Sequence, residues 1–212
     1  MRRITRGTWL AVAAGIAGIV AGALVYRGYA ERRFQSELER ARQSLVAGRP
    51  NDALQRLKTL ADDRPGTGEV DYLIGMSETL RGHPDRAEAA WARIAPDDAP
   101  FVGLAAIYRA DLDRERGRLA DAEERLRAVL EIPGSHRQRV RWALVQILVL
   151  EGRKAEARRL LAEGLAEHPD PIEALKSLYK LDVEPFPLEA ARDYFASAAT
   201  RAPDDERVKL GR

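Results

Sequence analysis

Small and large apolar residues follow one another along this chain on a helical period. Ala53, Ala87, Ala122 and Ala157 are each followed four positions later by a large apolar side chain: Leu57, Trp91, Leu126 and Leu161. Positions i and i+4 share one face of a helix, so the small residue admits a neighbouring helix while the large one fills the space beside it. Five residues before each alanine stands a glycine, Gly48, Gly82, Gly117 or Gly152, at intervals of 34 or 35. Such a glycine marks the end of one helix and the reversal of the chain, a place that often needs positive φ. The pattern predicts helix, glycine turn, helix, repeated, and it needs no strand. Prolines are expected to close the second helices, because proline lacks an amide hydrogen and clashes with the preceding turn. Pro65 and Pro169 lie twelve residues beyond Ala53 and Ala157, while Pro100 and Pro133 are displaced by one residue in the second and third repeats.

Counting 34 residues on from Ala157 reaches Ala191, with Phe195 four beyond it and Pro203 twelve beyond it. This predicts a fifth hairpin, without the turn glycine. Pro185 and Pro187 bracket Phe186 instead, which implies a rigid extended connector after a short first helix over residues 171–181. Asp204 and Asp205 resemble an N-cap region, so residues 206–212 read as the start of an incomplete sixth repeat. An array halting there leaves an apolar face uncovered, which points either to a truncated sequence or to a partner at that end.

These residues resemble the tetratricopeptide repeat family, whose signature runs W-x2-L-G-x2-Y, A-x3-F and a closing P. The second-helix half matches well, with aromatic versions in Ala87/Trp91 and Ala191/Phe195. The first-helix half is looser: Ile74-Gly75 stands for the Leu-Gly pair, and Ala41, Ala110 and Val145 occupy the small position elsewhere. The expected fold is all-α: a TPR-type helical-hairpin solenoid of about five repeats, at residues 34–67, 68–102, 103–137, 138–171 and 172–205. About three repeats suffice for a continuous interior, so the chain is long enough.

An uncharged run of 20 residues, 7–26, precedes the repeats between Arg6 and Arg27. At ~1.5 Å per residue, a helix of that length spans about 30 Å, the thickness of a bilayer's hydrocarbon. It is expected to be a transmembrane signal anchor. Arg2, Arg3 and Arg6 form a short basic N-terminus at 1–6, and the positive bias places it in the cytoplasm, leaving the solenoid on the far, periplasmic side. Cleavage after Ala30, behind Gly28-Tyr29-Ala30, is the alternative, although the run exceeds a typical signal core and Arg27 intrudes. Gly18 and Gly22 form a G-x-x-x-G spacing that permits a homodimer.

Charge changes the picture further. The sequence pI is near 9.0, yet residues 1–33 hold six arginines and one glutamate, so 34–212 carry 29 basic and 32 acidic groups, a net −3. That balance argues against a nucleic-acid partner, which needs a concentrated basic footprint. Zero cysteines remove disulfides, thiolate catalysis and cysteine metal sites together. His83, His136 and His168 sit in separate turns with no H-E-x-x-H pairing, and neither a phosphate-binding glycine loop nor a nucleophile elbow occurs. Paired carboxylates such as Asp62-Asp63 and Asp97-Asp98 fall where helices start or end, and capping explains them. No enzyme activity and no cofactor are expected.

In the family the first helix of each hairpin lines a concave groove that receives other proteins or peptides. The resemblance therefore implies a contact set of Leu38 and Arg42 from the first hairpin, then Tyr72, Met76 and Thr79 from the second. Ile107, Asp111 and Arg114 come from the third, and Arg139, Trp142 and Gln146 from the fourth. Tyr72 and Trp142 are equally compatible with packing between repeats. The lysine and asparagine clamp of chaperone-binding relatives is missing, with Leu38 and Arg42 in its place. The expected function is a non-catalytic, membrane-tethered interaction scaffold. The alternative is a regulatory N-terminal part of a longer chain whose activity lies beyond Arg212.

Overall fold

The protein, seen in a computed structural model, is described for residues 6–167 and Thr200, with side chains for residues 21–164 and Thr200. Among the described residues the elements are all helices: α1 (Arg6–Val46), α2 (Pro50–Asp63), α3 (Gly68–Leu80), α4 (Pro84–Trp91), α5 (Ala99–Glu115), α6 (Leu119–Leu130), α7 (Arg137–Leu150) and α8 (Lys154–Glu167). The expected fifth hairpin (Thr200 apart), its proline-bracketed connector and the start of a sixth repeat lie outside the described residues, as do positions 1–5.

The four spaced glycines do in the structure what their period implies. Gly48, Gly82, Gly117 and Gly152 have φ of 68°, 75°, 73° and 78°. Each donates its N–H three residues back, to Leu45, Thr79, Arg114 or Val149, and the next residue donates five residues back, to Ser44, Glu78, Asp113 or Leu148. That pair of bonds is a Schellman closure of the first helix. The residue after the glycine then opens the second helix, since the carbonyls of Arg49, His83, Arg118 and Arg153 accept from the amides of Ala53, Ala87, Ala122 and Ala157. The five-residue spacing of glycine and alanine is thus one turn followed by one helical hydrogen bond. Pro50 and Pro84 stand at the first helical position, where a missing N–H costs nothing.

All four alanines are 0% exposed, and Leu57, Trp91, Leu126 and Leu161 are at most 2% exposed. The chain divides after Ala87 into two compact units. In the first, α2 packs against both α1 and α3, and α1 also touches α3. In the second, α5, α6, α7 and α8 pack in sequence and α5 also meets α7. The apolar core of this second unit includes Ala106, Ala110, Leu126, Leu144, Leu148 and Leu161.

Some expectations are corrected. Pro100 does not close the second repeat: α4 stops at Trp91, and Pro100 lies in the first turn of α5 behind Asp98. Proline's fixed φ suits a helix start as well as a stop, so spacing alone misassigned it. Leu38, expected in the groove, is 1% exposed. It lies on α1, the helix that packs against α2 and α3. The span expected at 7–26 falls on α1, which is continuous over 41 residues. Among the described residues no helix is long and apolar enough to cross a membrane, and the side chains of 7–20 lie outside that set.

Two buried acids stand at equivalent places, four residues before a turn glycine: Glu78 at 5% and Asp113 at 1% exposure. A carboxylate near a helix C-terminus opposes the helix dipole and has to be compensated. Glu78 Oε2 accepts from His83 Nδ1 at 2.9 Å and Arg81 Nη1 at 2.7 Å. Asp113 accepts from Arg118 at 2.5 Å and from Arg125 at 3.0 Å. Burial pushes the Glu78 carboxyl up, but the His83 hydrogen bond and the Arg81 charge outweigh it, holding the pKa below its ordinary value.

A further glycine is constrained by space. A Cβ on Gly103 would stand 1.8 Å from the Ser135 carbonyl oxygen, so α5 lies directly on the turn that precedes α7. Gly103→Ala is expected to lower the thermal midpoint more than Gly117→Ala. The first forces backbone apart, at about 1–3 kcal/mol or more, whereas the second places a Cβ in a left-handed conformation with open space around it, at about 1–2 kcal/mol. Circular dichroism melts of the two variants check the order. Glu78→Gln is expected to cost about 1.5–3 kcal/mol at neutral pH. Because the native pKa is depressed, that contribution is full above the usual carboxylate range and is lost as pH falls through the lowered value. Urea titrations at neutral and acidic pH should therefore show the gap from the parent chain closing in acid.

Candidate interaction cleft

The six candidates of the second unit converge. Ile107, Asp111 and Arg114 on α5 and Arg139, Trp142 and Gln146 on α7 line one open cleft of about 440 Å³, with Ala110, Ala143 and Leu126 among the residues between them. On α5, Ile107, Asp111 and Arg114 are four and three residues apart; on α7, Arg139, Trp142 and Gln146 are three and four apart. Each set therefore forms a stripe along its helix. The small residues Ala110 and Ala143 sit between the stripes.

The cleft combines several chemistries. Ile107 and Trp142 are half-buried and pack against the core of the second unit. For Trp142, the alternatives of core and groove are both met, since the indole rests on the interior and also lines the cleft. Arg114 donates from Nε to Asp111 at 3.2 Å. Arg139 and Gln146 are exposed, and among the described residues the Arg139 guanidinium has no ion-pair partner. An indole face, a solvated cation, an amide and an arginine-carboxylate pair suit an extended peptide carrying apolar and acidic side chains. Among the described residues no group of three His, Cys, Asp or Glu side chains is placed to hold a metal ion.

The first unit uses its candidates differently. Arg42 bonds Glu69 on α3 and Glu39 on its own helix, at 3.0 Å in the latter case. The Glu69 bond raises the Arg42 pKa, and the side chain is a strut between α1 and α3. Tyr72 and Met76 are half-buried; Thr79 is exposed, its hydroxyl donating to the Gly75 carbonyl at 3.0 Å. The large cleft here, about 740 Å³, lies between α1 and α2 and is lined by Tyr26, Tyr29, Arg33, Phe34, Arg56 and Arg64 among others. The Arg64 guanidinium lies 4.2 Å over the Phe34 ring and bonds Glu31 at 2.7 Å.

Charged links also tie successive second helices of the second unit. Arg127 and Arg153 each bridge Glu123 and Glu156, joining α6 to the start of α8. These bonds lower the pKa of Glu156 and raise that of Arg153. Neither the buried acids nor this network was found from sequence. The visible signal was an acidic residue four before, and a basic one directly after, the glycine in the second and third repeats.

Helix pairs with a shared turn, joined in series, invite comparison with known proteins. Residues 113–181 match the tetratricopeptide repeat model. Over those residues the chain is similar to the tetratricopeptide repeat family. Its fold is similar to that of a thermophilic TPR protein from Thermus thermophilus, with a TM-score of 0.55 and 20% identity, covering 84% of this chain and 95% of that one. Among curated proteins none matches the chain. The repeat model covers α6, α7 and α8, so one wall and the floor of the cleft lie within it.

Partial exposure of Trp142 distinguishes it from Trp91, which is 2% exposed and stacked on Tyr108 at 5.3 Å. In single-tryptophan variants of the full chain, acrylamide is expected to quench Trp142 several-fold more efficiently than Trp91. Equal quenching would mean that the indole does not open onto the cleft.

Proposed function

We propose that this chain is a membrane-tethered scaffold that binds a partner polypeptide in the cleft between α5 and α7. The observation that carries this reading is the convergence of Ile107, Asp111, Arg114, Arg139, Trp142 and Gln146 on one open, chemically mixed surface. Tetratricopeptide folds serve as protein-protein interaction scaffolds, and the cleft's mix of aromatic, cationic and amide groups is that of a protein interface.

The tether rests on the N-terminal helix. Residues 7–26 are uncharged, and α1 continues through them without a break into the first repeat. Residues 21–29 are exposed around the whole helix, including Leu24 at 64%, Val25 at 74% and Tyr26 at 75%. A largely apolar helix exposed around its circumference among the described residues is suited to lipid. Arg27, Arg32 and Arg33 follow it, and Tyr26 and Tyr29 have the amphipathic character favoured at a membrane interface. The bias of Arg2, Arg3 and Arg6 supports a cytoplasmic N-terminus with the repeats on the periplasmic side.

One experiment tests both halves. Membranes containing the full chain are washed in alkaline carbonate and crosslinked, and the captured proteins are compared with those from Trp142→Ala combined with Arg139→Ala. The chain is expected to stay in the pellet, with specific partners captured by the parent and lost from the double variant at unchanged helical content. Release into the wash would end the tether reading, and partners retained by the double variant would end the cleft reading.

A further inference from the structure

The second unit holds another cleft, lined from α4 to α6, with an arginine Nε that has no hydrogen-bond partner among the described residues. Arg109 projects from α5 into a cavity of about 440 Å³ whose walls include Trp91, Ile94, Val102, Arg125 and Val129. Its Nε is shut off from solvent and, among the described residues, has no hydrogen-bond partner. The carboxylates whose charge reaches it are Glu88 and Asp113, and both are engaged elsewhere. Glu88 accepts from Arg116 at 2.8 Å, while the two oxygens of Asp113 accept from Arg118 and Arg125. Leaving a buried donor on a charged group unsatisfied is costly, and the neighbouring Arg125 charge adds repulsion. Together, burial and then Arg125 hold the Arg109 pKa below its ordinary value.

We infer that this cleft is a second docking site, which takes a side-chain carboxylate flanked by apolar residues on a partner polypeptide. A carboxylate meets the guanidinium as a charge-assisted hydrogen-bond acceptor, and its apolar neighbours lie against the part-exposed Val102, with Ile94 and Trp91 behind it. Asp121 and Glu124 also line the cleft. Their charge opposes a phosphate dianion more than a single carboxylate, which selects between the two acceptors. The site lies away from the α5/α7 cleft and does not depend on it: pairing α4 and α6 with the far side of α5, it shares none of the six residues proposed there. Glu124, exposed and without an ion pair among the described residues, stands at the rim as a negative charge that a docked carboxylate would meet.

The test uses the 15N-labelled full chain in detergent, titrated with the peptides acetyl-Phe-Glu-Leu-amide and acetyl-Phe-Gln-Leu-amide and with inorganic phosphate. The glutamate peptide is expected to move the Arg109 Nε–H and Trp91 indole signals saturably, and the glutamine peptide to bind about tenfold more weakly, the value of one charged hydrogen bond. Arg109→Gln should abolish that preference, Trp142→Ala should leave it intact, and Glu124→Gln should tighten binding by removing a negative charge from the cleft lining. Equal binding of the two peptides, a matching response to phosphate, or a preference that survives Arg109→Gln overturns the site. If Arg109→Gln does not fold, Glu124→Gln decides. Should that substitution move the Arg109 signal before any peptide is added, Glu124 already fills the site and the inference fails.

Discussion

One residue per hairpin carries the geometry of the described repeats. The residue after each turn glycine gives its N–H to close the helix behind it and its carbonyl to open the helix ahead. Both helices are therefore fixed to the same few atoms, and the angle between them is set by the glycine's left-handed backbone. A residue with a Cβ resists that conformation, which is why the glycine recurs while the rest of the turn varies. Packing then follows, because the alanine that donates the second helix's first hydrogen bond is also the residue with no exposure at all.

The same turn organises the charges. The position four before the glycine lies in the last turn of the first helix, pointing inward. Glu78 and Asp113 place carboxylates there and Ser44 a hydroxyl, while Leu148 is the apolar version. The acids are stable only because basic side chains from the turn and the neighbouring helix reach them. Such pairs contribute little as net stability, since desolvation offsets much of the attraction. Their effect is geometric: Arg118 and Arg125 converge on the end of α5, holding α6 in register against it. Arg127 and Arg153 do the same between α6 and α8 in a more solvated setting, where each link is worth less.

Much of the fold was legible because it rests on short-range patterns. The glycine-alanine spacing, the large residue four beyond and the small residue seven before the glycine all report contacts within one hairpin. The cleft residues of α5 and α7 were legible for the same reason, since helical spacing alone puts Ile107, Asp111 and Arg114 on one stripe. What was hidden depended on residues distant in the chain. Leu38 and Arg42 occupy groove positions by spacing, yet Leu38 is buried on the helix that packs against α2 and α3, and Arg42 is paired with Glu69 on α3. Gly103 gave no local signal, because its need for space arises from Ser135, more than thirty residues away. Pro100 misled because a proline obeys the same stereochemistry at either boundary of a helix. Arg109 sits among many arginines, and only the prior commitment of the surrounding carboxylates sets it apart.

The unbroken run of α1 has a consequence for the geometry of the first unit. Residues 6–46 form a single helix of 41 residues, about 60 Å long at ~1.5 Å per residue, and its C-terminal third is itself a wall of the first repeat. No joint separates the part that projects from the part that packs. Adding or removing one residue between Tyr26 and Phe34 would change the height of the first unit by only ~1.5 Å but swing it through about 100° around the helix axis. The length of this segment therefore acts as a compass setting, choosing which way the unit faces relative to whatever holds the other end.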